Sequence, residues 1–125
     1  MTSFPQFTAA IPVLRIFDEK AAWSFYRDWL GFSIDWEHRF HPGAPLYAQI
    51  SRAGLVLHLT GHFGDATPGS TVFVPMTGAA ALHDELLNQR PNPNMRPGLE
   101  MLPWGTQVEV IDPFGNRLRF CEQAG

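Results

Sequence analysis

The order of the predicted secondary-structure elements occurs twice along the chain, and this repetition constrains the fold more than any other feature. Eleven glycines and eleven prolines divide the 125 residues into short pieces. Each half is predicted to form a strand, a helix and three further strands, and a polar, glycine-rich segment over residues 61–70 separates the halves. A chain of this length forms one compact domain. We therefore predict a single domain over residues 1–125 with two modules, at about residues 8–61 and 70–122.

The first half contains a helix with clear start and stop signals. Asp18 is a typical N-cap residue, and Gly31 supplies the stop for a helix over about residues 19–30. Four residues at helical spacing form one buried face of this helix: Ala22, Phe25, Tyr26 and Trp29. The strands of this half are predicted at residues 11–17, 32–40, 46–52 and 55–60.

The second half repeats this order. Thr77 is the expected cap of a helix whose apolar face carries Ala79, Leu82 and Leu86. A loop rich in proline and asparagine follows over residues 90–97. Residues 112–115 have the composition of a type I turn that closes a hairpin. The strands of this half are predicted at residues 71–75, 99–102, 106–111 and 116–121.

One helix in each half covers only one face of a four-stranded sheet, so the other face stays bare. On the strand over residues 55–60, period-two alternation places three leucines towards the helix and Val56, His58 and Thr60 on the bare face. We therefore predict an α+β fold of two βαβββ modules whose bare sheet faces form the wall of a cup.

Composition and charge exclude several classes of protein. Hydrophobic residues make up 45% of the chain and charged residues 17%, which is incompatible with disorder. The net charge is -3 and no basic block occurs, so no nucleic-acid partner is expected. No segment is long and apolar enough for a membrane span, and none resembles a signal peptide. Cys121 is the single cysteine, which fits a reducing cytoplasm.

Several short motifs, in this order, resemble the vicinal oxygen chelate superfamily of glyoxalases, dioxygenases and bleomycin resistance proteins. The likeness covers about residues 8–122 and is strongest to the bleomycin-resistance branch. The motifs are Phe17-Asp18, Ala22, Phe25-Tyr26, Leu30-Gly31-Phe32, Pro103-Trp104-Gly105, Asp112-Pro113-Phe114-Gly115-Asn116 and Phe120. The resemblance implies a homodimer, with an N-terminal strand that such dimers often exchange, and a small-molecule ligand in a crevice between the chains.

The resemblance also implies where a divalent metal would be held in the enzymes of the superfamily. Those positions fall on Pro12, on residues 70–72, on His58 and on Arg119. Only His58 is a good ligand, and one imidazole is too few for a metal site. We therefore expect no metal cofactor, and a protein that binds and sequesters a drug or metabolite without catalysis.

Six residues are predicted to contact the ligand: His58, Trp104, Trp36, His38, Phe40 and Arg119. The aromatic rings stack on planar or cationic groups. Each assignment has a structural alternative, because His58 is equally well explained as a structural histidine and Trp104 as a loop anchor. Arg119 lies on one strand face with Arg117, where the pair either binds an anion or forms ion pairs with Glu109 or Glu37.

Two other functions remain open from the residues alone. A divalent metal relocated to His38, His58 and His62 would make the protein a glyoxalase-like lyase or an oxygenase. A housekeeping domain with a vestigial pocket is the third reading of the same sequence.

Overall fold

A computed structural model describes residues 4–90 and 95–125. The N-terminal module contains helix α1, which begins as an α-helix and continues as a π-helix, and four strands. Their bounds are β1 Val13–Arg15, α1 Glu19–Trp23 and Ser24–Trp29, β2 Ser33–His38, β3 Tyr47–Arg52 and β4 Leu55–Thr60.

The C-terminal module has the same sequence of elements, and helix α2 also changes from α-helix to π-helix. Its elements are β5 Thr71–Pro75, α2 Ala79–Asp84 and Glu85–Gln89, β6 Leu99–Leu102, β7 Gly105–Ile111 and β8 Arg117–Gln123. Residues 91–94 of the predicted loop lie outside the described residues.

Each module builds one four-stranded sheet, and the two sheets have equivalent strand orders. The orders are β1-β4-β3-β2 and β5-β8-β7-β6. The first and last strands of each module pair in parallel, while the other neighbours pair antiparallel. The predicted α+β fold of two βαβββ modules is therefore confirmed.

Helix α1 begins as the sequence predicts. The Asp18 carboxylate accepts a hydrogen bond from the backbone N–H of Ala21 at 3.1 Å, which satisfies a free donor of the first turn. The four residues of the predicted helix face are all buried: Ala22, Phe25, Tyr26 and Trp29.

The predicted cap of helix α2 is wrong. Gly78, not Thr77, is the N-cap residue, and it lies in the left-handed region at φ 84°. A glycine has no side chain with which to cap, and Glu122 at the end of β8 does this instead. Its Oε1 accepts from the N–H groups of Gly78 at 3.2 Å and Ala79 at 3.1 Å.

The strand predicted over residues 11–17 is shorter in the structure, because β1 covers only Val13–Arg15. The hydrogen-bonded contact extends one residue to either side of the strand. The Pro12 carbonyl accepts from the N–H of His58, and the N–H of Ile16 donates to the Thr60 carbonyl.

The two modules share one hydrophobic core, to which both helices and the inner faces of both sheets contribute. The Tyr26 hydroxyl donates to the Asp112 carboxylate at 2.6 Å, and the Trp29 indole N–H donates to the Leu86 carbonyl at 3.1 Å. Because the inner faces meet in this core, the other face of each sheet points away from it. We call these the N-terminal and the C-terminal open face.

Candidate functional site

The N-terminal open face carries an aromatic cluster of Trp36, Tyr47 and His58. The Trp36 and Tyr47 rings are stacked with centroids 6.1 Å apart, and the His58 ring meets them edge-on at 5.4 Å and 5.2 Å. Trp36 keeps 42% of its surface exposed. The exposed part of Trp36 therefore gives this cluster an aromatic surface that is open to a ligand.

Both ring nitrogens of His58 are engaged by neighbouring strand β3. Nε2 lies 3.0 Å from Gln49 Oε1, which only accepts, so this nitrogen carries the proton. Nδ1 then accepts from the Tyr47 hydroxyl at 2.8 Å. The Tyr47 hydroxyl is protonated at neutral pH, and burial, followed by the charge of Asp65, raises its pKa further from that range.

Asp35 completes this hydrogen-bond network at the sheet edge. Its carboxylate accepts from Gln49 Nε2 at 3.1 Å and from the Ser51 hydroxyl at 2.9 Å. The strand register shifts between Ile34 and Trp36, and this bulge allows Asp35 to reach the same face as its partners. The network fixes the orientation of the Gln49 amide and, through it, of His58.

His38, Phe40 and His62 form a second group beside the aromatic cluster. The Phe40 ring lies edge-on to His38 at 4.5 Å and to His62 at 5.4 Å, and Phe40 is 72% exposed. Four of the predicted ligand contacts therefore form two pairs in the structure. His38 contacts Phe40, and Trp36 contacts His58.

The C-terminal open face contains a pocket of about 390 Å³. Two of the predicted ligand contacts, Trp104 and Arg119, line it, and the Trp104 side chain is 54% exposed. The other lining residues are Phe73, Glu100, Leu102, Gln107 and Glu109. This size suits a small organic ligand.

The charges of this pocket are partly compensated within the protein. Glu109 Oε1 lies 3.1 Å from Arg117 Nη1 and 3.7 Å from Arg119 Nε, so one carboxylate lies between two guanidinium groups. Of the two roles considered for Arg117 and Arg119, anion binding or ion pairs within the protein, the structure favours ion pairs with Glu109. Glu100 forms no salt bridge with any described residue, so the lining carries two carboxylates against one guanidinium.

The residues at the family's metal positions do not fit a divalent ion. In the register of each parallel strand pair, His58 lies opposite Val13 beside Pro12, and Arg119 lies opposite Phe73. Residues 4–90 and 95–125 contain no group of three or more His, Cys, Asp or Glu side chains that could hold a metal ion.

Sequence reasoning missed several residues of both faces. Tyr47 and Gln49 could have been found, because the tight turn at Ala53-Gly54 sets a register that puts Gln49 opposite His58. The pocket residues Phe73 and Gln107 had no such local signal, since the parallel pairing of β5 with β8 joins distant segments.

No helix formed by the described parts of the chain is long and apolar enough to cross a membrane.

Comparison with known proteins identifies the family. The family model for glyoxalase superfamily proteins matches residues 3–125, so the chain belongs to the glyoxalase superfamily. No curated protein matches the sequence.

Solved structures with the same fold include several antibiotic-binding proteins. The bleomycin-binding protein of bleomycin-producing Streptomyces verticillus, complexed with copper(II)-bleomycin, is 26% identical with a TM-score of 0.72, over 97% of this chain and 100% of that chain. A bleomycin resistance determinant encoded on the transposon Tn5 is 21% identical with a TM-score of 0.70, over 95% and 100% of the two chains. TnmS3, an antibiotic-binding protein from Streptomyces sp. CB03234, is 19% identical with a TM-score of 0.70, over 96% and 100%.

Proposed function

We propose that this protein binds a small molecule, a drug or a metabolite, and sequesters it without changing it chemically. The observation that carries this proposal is the pocket on the C-terminal open face, whose lining includes the exposed Trp104 ring, Phe73 and a compensated Arg119–Glu109 pair. Such a site offers area for stacking on a planar ligand.

The hydrogen bonding of the open faces supports binding over catalysis. A histidine that acts as a general base needs a ring nitrogen whose lone pair can accept a substrate proton. Both nitrogens of His58 are instead used by Tyr47 and Gln49, and Arg119 lies beside Glu109. The solved structure at 26% identity is a bleomycin-binding protein holding copper(II)-bleomycin, which supports a ligand of that kind here.

The proposal includes a homodimer in which a second copy closes each open face. Large exposed aromatic surfaces on a small domain are typical of interaction sites. Residues 4–12 form no strand within the chain, yet Phe4 is 77% exposed and Phe7 is 96% exposed. We call residues 4–12 the apolar arm. In the proposed dimer this arm lies on the partner subunit, as in the exchange of the N-terminal strand that the family resemblance predicts.

The proposed location is the cytoplasm, where the free thiol of Cys121 would stay reduced.

Titration with bleomycin, followed by tryptophan fluorescence, tests the proposal. We expect the emission to change and to saturate near one ligand per chain, and mass spectrometry should recover the ligand unaltered. Trp104→Ala should abolish saturation. Trp23→Phe is the matched control, because Trp23 lies on helix α1, which packs on the inner side of its sheet.

Two other results would be informative, the first about the identity of the ligand and the second about the proposal itself. Unchanged emission at high micromolar bleomycin would exclude this drug as the ligand. Recovery of a chemically altered ligand would show an enzyme rather than a sequestering protein.

A further inference from the structure

Gln107 is a buried polar residue whose side chain has no partner in the described part of the protein. It lies on β7, on the open face, and only 6% of its surface is exposed. None of the hydrogen bonds between described residues uses its amide, although this group has one acceptor oxygen and two donor hydrogens. Among the described residues only His62 Nε2 is a completely buried side-chain atom without a partner, so the Gln107 amide reaches the C-terminal pocket that it lines, where it is available to a ligand.

The surroundings of Gln107 place its amide at the floor of the C-terminal pocket. The neighbouring strands put Glu100 on one side of it and Cys121 on the other. Cys121 is a weak hydrogen-bonding group and is fully buried. Leu102 and Trp104 provide apolar walls of the same pocket.

We infer, building on the proposed function, that this pocket binds a planar ligand that carries an amide, either a carboxamide or a lactam, and that Gln107 binds that amide. An amide presents a donor and an acceptor side by side, and the Gln107 side chain presents the complementary pair. The planar part of the ligand stacks on the exposed Trp104 ring.

The charges of the pocket separate an amide from its close analogues. A carboxylate of the same shape would meet Glu100, which forms no salt bridge with any described residue, and would leave the Gln107 oxygen without a donor. A methyl ester also has no donor for that oxygen. The pocket therefore favours a neutral amide over both analogues.

Three matched probes test this inference on the full chain: naphthalene-2-carboxamide, naphthalene-2-carboxylate and methyl naphthalene-2-carboxylate. Their affinities are measured by ¹H–¹⁵N NMR titration, which follows the Gln side-chain NH₂ and Trp indole signals. One neutral hydrogen bond contributes about 1 kcal/mol, so the carboxamide should bind roughly fivefold more tightly than the ester.

Gln107→Met keeps the length of the side chain and removes the amide. We expect this variant to bind the carboxamide at least roughly fivefold more weakly and to lose the preference over the ester. Gln89→Met is the control, because Gln89 lies exposed at the end of helix α2, and it should keep the preference.

Equal binding of the three probes by the natural protein would overturn the inference, and so would a preference that survives in Gln107→Met. Absence of binding by all three also counts against it. The bleomycin titration reports separately on the proposed function, so saturation there together with no amide preference would leave sequestration standing and remove the role of Gln107.

Discussion

At the scale of single residues, Asp112 is the polar group on which the contact between the modules depends. Its carboxylate accepts from the backbone N–H groups of Phe114 and Asn116 and from Asn116 Nδ2, each at 2.8 Å. The Tyr26 hydroxyl from the other module is a fourth donor. Asn116 also donates to the Arg15 carbonyl, which adds a second link between the modules.

Tyr26→Phe should destabilise the protein by about 2 kcal/mol, since it removes a buried hydrogen bond to a charged acceptor without changing the packing much. Urea denaturation at neutral pH measures this difference. Tyr47→Phe is the control, because Tyr47 lies on an open face. A cost of Tyr26→Phe no larger than that of the control would contradict the role of this contact.

Stability should also fall in alkaline solution because of Tyr26. Burial, then the charge of Asp112 and the hydrogen bond to it, raise the pKa of Tyr26 well above its ordinary value. The unfolded tyrosine loses its proton above about pH 10 while the folded one keeps it, so the unfolded state binds fewer protons and stability decreases as the pH rises.

The comparison of urea midpoints between pH 9 and pH 11 tests this expectation. The natural protein should lose the most stability over this range, Tyr47→Phe somewhat less because the pKa of Tyr47 is raised as well, and Tyr26→Phe the least. An equal loss in Tyr26→Phe would show that another group causes the alkaline sensitivity.

At the scale of elements, the start of helix α2 depends on a distant strand. Glu122→Ala removes the acceptor for two N–H groups, and Gly78 has no side chain to replace it. Loss of a helix cap costs about 1 kcal/mol. Thermal or urea unfolding should show this loss for Glu122→Ala and a smaller effect for the exposed neighbour Gln123→Ala.

The strands and helices were largely predictable because their signals are local. Asp18 caps α1 as expected, and the predicted buried face of that helix is buried. The cap of α2 was not predictable from the neighbouring sequence. Its acceptor is Glu122, which is 44 residues away from Gly78 in the chain.

The candidate site was only partly predictable for the same physical reason. Alternation along β4 placed His58 on the bare face, and the hairpin register brings Gln49 opposite it. Gln107 looked unremarkable in the sequence, because its importance depends on burial and on neighbours from β6 and β8. Such contacts arise only after the sheet has formed.

At the scale of the whole molecule, the proposed dimer depends on the apolar arm over residues 4–12. Phe7→Ser should weaken the dimer, because it removes an exposed ring that the proposal places on the partner subunit. Phe7→Leu keeps an apolar contact and should weaken the dimer less. Sedimentation velocity over a range of protein concentrations measures both effects.

A monomeric natural protein at all concentrations would contradict the dimer, and so would a dimer that is equally strong in both Phe7 variants. The first result would leave the pocket on the C-terminal open face intact as a site within one chain, since its lining residues all come from one module.

The core shared between the modules has a consequence for synthesis on the ribosome. Tyr26 and its partner Asp112 are 86 residues apart in the chain, so the first module emerges well before the contact can form. At ordinary rates of translation this interval is about 10 s. During that time Trp29 also lacks its acceptor at Leu86. Until the second module has been synthesised, the nascent first module therefore exposes apolar side chains that the shared core later buries.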